Sequence, residues 1–110
     1  MSDITQARRE LVARILGGPG RAARDQRRAA FDNAGLATAL DTLVDKVAMH
    51  AHRVTDEDID AAKATGLSED EIFELVACAA VGQATREYEG ALAALDLATG
   101  RRGYATGNSR

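Results

Sequence analysis

The chain has 110 residues, 45% hydrophobic but only 4% aromatic, which makes one domain whose core must be close-packed Ala, Leu, Val and Ile. No run of about 18 apolar residues exists, the N-terminus lacks a charged-then-apolar leader, and one cysteine cannot close an internal disulfide; a soluble cytoplasmic protein with no membrane role is expected. The net charge of −3 hides seven Arg against four acids in residues 1–35 and four basic residues against thirteen acids in 36–99, a basic stretch too small and too poor in aromatics for a nucleic-acid surface, so opposite-signed segments are expected to pack together within or between subunits.

In chain order, the first predicted helix runs from about Ile4 to Leu16, with Ile4, Leu11, Val12 and Ile15 as its apolar stripe. The sequence GGPG (17–20) stops it. Pro19 is the sole proline, so the remaining chain is free to be helical. A second helix, about Arg21 to Asn33, is expected to end at Gly35 in the left-handed position. Ala23, Ala30, Phe31 and Ala34 share one of its faces, and four Arg cover the others. A third helix runs from about Ala37 to His52 on the stripe Leu36, Leu40, Leu43, Val47, His50. Thr55 with Asp58 resembles a capping box and opens a short helix that ends at Gly66. Ser68 with Glu71 is a full S-x-x-E box and opens the longest helix, about Glu69 to Ala98. Between Ile72 and Val81 this helix is apolar nearly all round, the mark of a central buried element. Residues 99–110 lose all periodicity and read as a mobile tail. The fold class is therefore all-α, a single domain of about five helices over residues 1–98.

Candidate chemistry concentrates on few side chains. Glu74 interrupts the apolar run IFELVACAAV, and an isolated buried carboxylate is costly. It is expected either to pair with an Arg or cap a neighbouring helix, or else to serve as an acid/base in a pocket. Cys78 lies one turn further on the same face and reads as a small buried hydrophobe, its thiol made less reactive by the carboxylate. His50 continues the apolar stripe and reads as a core histidine. His52 reads as solvated near Asp45 or Asp56. Two residues apart on one helix, these histidines should point to opposite faces and not chelate one metal. Gln83, Arg86 and Cys78 are candidate binding residues, the first two as polar partners across an interface. No H-E-x-x-H, C-x-x-C or phosphate loop is present, so neither a metal nor a cofactor is expected.

From Leu40 to about Leu95, around ATGLSEDEIFELV (64–76), the chain resembles the AhpD-like, or carboxymuconolactone decarboxylase, superfamily. The resemblance covers about half the chain. It implies a helix, a redox junction, a short helix and a GLS turn into a long alanine-rich helix, assembled as a homo-oligomer, often a trimer or hexamer, or with a related AhpD-like partner protein. Redox members carry C-x-x-C followed by a His at the junction. Here those places fall near Ala51, Val54 and Asp58, none of which can form a thiolate, so a dithiol mechanism is not expected. Two readings remain. One is a non-redox helical oligomer acting as scaffold, accessory subunit or small-molecule binder. The other is a cofactor-free acid/base enzyme on a small organic acid or lactone, built from Glu74, His50 or His52, with Arg86 as a carboxylate clamp.

Overall fold

The computed structural model describes the backbone of residues 2–100; most of the expected tail lies outside them. It is all-α, with no strand among the described residues: α1 (Ser2–Gly17), α2 (Arg24–Asp32), α3 (Thr38–His50), a 3-10 turn (Ala51–Arg53), α4 (Asp56–Lys63) and α5 (Glu69–Thr99). α5 is the spine. α2 and α3 pack most extensively against it, α1 touches α2 and the α5 flank, and α4 folds back mainly on α3.

The helix starts follow from local chemistry. At both Thr55 and Ser68 the side chain accepts the N3 backbone N–H, and the N3 carboxylate (Asp58, Glu71) accepts the N-cap N–H. Each reciprocal pair satisfies two donors that a helix N-terminus otherwise leaves without partners. Three acidic residues follow in each first turn, where the helix dipole favours negative charge. α5 stops at Gly100, in the left-handed conformation (φ 72).

Several boundaries differ from the sequence expectation: α1 begins earlier, at Ser2, and α2 later, at Arg24. α2 ends at Asp32, and Asn33 takes the left-handed position that terminates it (φ 55), with Gly35 also at positive φ (92) two residues on. Ala34 N–H then reaches back to Ala29 O at 3.0 Å, which is the Schellman arrangement. Asparagine tolerates this conformation better than most residues, and Asn33 Nδ2 is further anchored by a bond to Asp45 Oδ1 at 3.1 Å. α3 ends two residues early, because His50 leaves helical geometry (φ −150, ψ 58) and the 3-10 turn begins.

The core holds Ala30, Phe31, Leu40, Leu43, Val44, Ala62, Ile72, Leu75, Cys78 and Ala79. Leu43 and Leu75 are fully buried, each stabilising the fold by about 1.5–3 kcal/mol relative to exposure. α5 contributes Ile72, Leu75, Cys78, Ala79, Gly82 and Thr85, a single stripe at three- and four-residue spacing. The sequence expectation of a helix buried nearly all round is thus corrected: one face is covered, while Phe73 is 72% exposed and Ala80 lies in solvent. Where α2 crosses α5, a Cβ at Gly82 would collide with the Phe31 carbonyl oxygen. Only glycine allows the two backbones to come this close.

Candidate functional site

Glu74 is held by two backbone amides of the α1–α2 loop. Its Oε2 accepts the backbone N–H of Arg21 and its Oε1 that of Ala22, both at 2.9 Å. These two amides lead into α2, so a carboxylate on the spine grips the α1–α2 loop from across the fold. The two backbone N–H groups hold its pKa below the ordinary value of 4.5 against the opposing effect of partial burial, with smaller attractions from Arg27 and Arg21. The loop must come very close: a Cβ at Gly20 would sit 2.6 Å from Glu74 Oε1.

Arg27 completes the arrangement from the other side. Its Nε donates to Ala22 O at 3.0 Å, and its Nη1 to Gly18 O at 2.8 Å and Ile15 O at 3.3 Å. Side chain and loop thus exchange bonds in both directions, Glu74 accepting the amides and Arg27 donating to the carbonyls. The sequence expectation that all four α2 arginines lie on its outer faces is wrong for Arg27, which is 5% exposed. The signal was present: Arg27 falls on the helical stripe shared by Ala23, Ala30, Phe31 and Ala34.

Cys78 is 1% exposed, and its Sγ lies 3.8 Å from Ile15 O. Burial foremost, with Glu74 nearby, pushes its thiol up, although Arg27 pulls the other way. A thiolate is therefore disfavoured and the side chain behaves as a small core residue. Glu74, Cys78, Arg27 and Arg14 line an open cleft of about 270 Å3 between α1 and α5. The carboxylate oxygens there are already committed to the loop amides.

The other expected residues lie elsewhere. Arg86 Nη1 donates to Phe31 O at 2.6 Å and its Nη2 to Gln83 Oε1 at 3.0 Å. Arg86 therefore places positive charge at the C-terminal end of α2, the favourable end for a cation. Gln83 also donates to Glu87 at 3.1 Å. Gln83 and Arg86 thus bond to each other within one helix. Arg86 stands twelve residues along α5 from Glu74, about 18 Å of helix, and lines a different cleft.

The histidines require two corrections. His50 is exposed rather than in the core, because α3 breaks at that residue and the stripe does not continue through it. For the same reason His50 and His52 do not point to opposite faces. Their rings meet edge-on with centroids 6.2 Å apart. Ala51 opens the 3-10 turn, Val54 follows it, and Asp58 lies in the first turn of α4. Lys46 Nζ bonds both Asp58 oxygens at 2.9–3.0 Å, and this pairing, with Thr55, keeps the carboxyl below its ordinary range. Compared with known proteins, the chain matches no family model, no curated protein and no solved structure.

Proposed function

We propose that this protein is a non-redox, AhpD-like helical subunit that works as a homo-oligomer in the cytoplasm, serving as a scaffold or accessory subunit rather than as a thiol enzyme. The observation that carries this reading is the apolar surface the chain leaves uncovered. Phe73 and Leu97 are each 72% exposed, and Ile4, Leu11, Met49 and Leu95 are about half exposed. Phe73 stands beside Ile59, Ile72 and Val76 in an apolar cleft between α4 and α5. Scattered exposed leucines are ordinary, but an exposed aromatic set in an apolar cleft marks a contact surface. The order helix, junction, short helix, GLS turn, long helix supports the family comparison. Isologous packing of such helices closes dimers, and head-to-tail packing closes rings such as trimers or hexamers.

The alternative of an acid/base enzyme needs Glu74, His50 or His52, and Arg86 to converge. Within one chain they do not, and Glu74 is held ionised by the amides it grips. Light scattering on a gel-filtration column tests the assembly. A mass several times 11.6 kDa at micromolar concentration is expected, shifting towards the monomer in Phe73→Ser with helicity retained. A monomer at all concentrations up to about 100 μM, against the nanomolar to micromolar range usual for stable assemblies, overturns the proposal.

A further inference from the structure

A second polar feature lies further along α5 from Glu74. Four arginines from three helices, Arg8 and Arg9 of α1, Arg28 of α2 and Arg86 of α5, border a cleft of about 530 Å3 that holds only two carboxylates, Asp32 and Glu89. Each guanidinium carries five N–H donors, and the contacts inside the chain engage few of them. Arg28 Nε reaches Asp32 at 3.1 Å, Arg8 Nη1 reaches Glu89 only at 3.7 Å, and Arg86 holds Phe31 O and Gln83. Val12 and Phe31 give the cleft an apolar floor.

Directly beside it runs a groove of about 350 Å3 between α1 and α5, lined by Ile4, Leu11, Val81, Ala84 and Tyr88. Arg8 and the buried Thr85 belong to both cavities. At this seam the Arg8 guanidinium lies 5.1 Å from the Tyr88 ring centroid. Arg8 Nε and the Tyr88 hydroxyl are the two buried side-chain polar atoms that lack a hydrogen-bond partner among the described residues. Unpartnered buried polar atoms are rare in a finished fold, and both of these belong to residues at the seam of the two cavities.

We propose that the two cavities form one binding site for an amphipathic organic anion, an aliphatic carboxylate of medium length. Its head would sit among the arginines, where planar guanidiniums match a carboxylate through paired N–H donors. Its chain would lie along the apolar groove. Ile4 to Leu11 spans seven residues, about 10 Å of helix, which sets the length of tail that fits. The small volume and convergent charge are those of a ligand site rather than a flat contact surface. This proposal does not rest on the assembly reading: Ile4 and Leu11 belong both to the groove and to the exposed apolar surface, but the Phe73 cleft between α4 and α5 shares no lining residue with either cavity.

Isothermal titration calorimetry with decanoate below its micellar range tests it, with decanol as the uncharged tail and acetate as the bare head. Saturable decanoate binding is expected, at least tenfold tighter than either control. The double variant Arg9→Gln/Arg28→Gln removes exposed charges, and Ala84→Trp fills the groove; each is expected to weaken decanoate at least tenfold while circular dichroism stays unchanged. Equal binding of decanol, equal binding of acetate, or no decanoate binding by the wild type overturns the proposal. So does co-sedimentation with anionic phospholipid vesicles that decanoate fails to displace, which would set the arginines against a membrane surface. The mass of the same sample by light scattering is scored separately, so a groove sealed by a second copy would sink this site and leave the assembly standing.

Discussion

At the scale of single residues, Glu74 illustrates how a costly group is made useful. Its two oxygens accept two charge-assisted bonds from amides that otherwise lack helical partners, so the carboxylate is worth more ionised than protonated. Replacing it with glutamine leaves one acceptor oxygen and turns a donor towards an amide donor. Glu74→Gln is expected to destabilise the fold by about 1–3 kcal/mol, the range for losing a hydrogen bond to a charged group, read by denaturant unfolding. The sign with pH follows from the depressed pKa. The unfolded chain takes up this proton at a higher pH than the folded one, so the stabilisation is complete above the ordinary carboxylate range. It is lost as pH falls from about 4.5 through the folded value. The acid limb of the stability–pH curve should therefore be shallower in Glu74→Gln than in the wild type. Cys78 gives an independent check on the same region. Its burial and raised pKa imply that a thiol reagent labels the native protein far more slowly than the urea-unfolded chain.

At the scale of elements, the helices are held by two kinds of feature that can be separated by mutation. Caps act locally. Ser68→Ala removes one half of a capping box and is expected to cost about 1 kcal/mol, as is Thr55→Ala. Close approaches act between elements. Gly82→Ala adds a single methyl, yet it would drive α2 and α5 apart at the Phe31 carbonyl and is expected to cost at least about 1–3 kcal/mol, despite alanine being the better helix former. Thermal unfolding at fixed concentration distinguishes these cases: propensity alone predicts a gain for Gly82→Ala, and the backbone contact predicts a loss. The capping boxes, and with them the starts of α4 and α5, were legible in the sequence because every participating atom lies within four residues. The end of α3 was not, since nothing in the stripe through His50 marks the turn into 3-10 geometry.

At the scale of the whole molecule, shape carries the argument. The radius of gyration is 16.9 Å and the long axis 54 Å, against about 13 Å for a compact chain of 100 residues. α5 alone, at 31 residues, is about 46 Å long and runs beyond the bundle that covers its first half. A small domain of this form buries little surface per residue, and association is the available way to bury more. The apparent melting temperature is therefore expected to rise with protein concentration, as it does when only the folded state self-associates. Independence of concentration between 1 and 100 μM (a range of order two decades about typical dissociation constants) would count against assembly.

The sequence by itself determined the all-α class, the five helices, both capping boxes and the burial of Cys78. Each depends on spacing within one helix or on chemistry confined to one turn. Only the tertiary structure decided what Glu74 holds, since its partners are backbone amides 52 and 53 residues away, and every residue but proline offers such an amide without marking which will be used. It likewise decided which loop carbonyls Arg27 bonds, and that Phe73 stays out. Those outcomes depend on which faces of the helices meet, and periodicity shows that a helix has an apolar face without naming what will cover it.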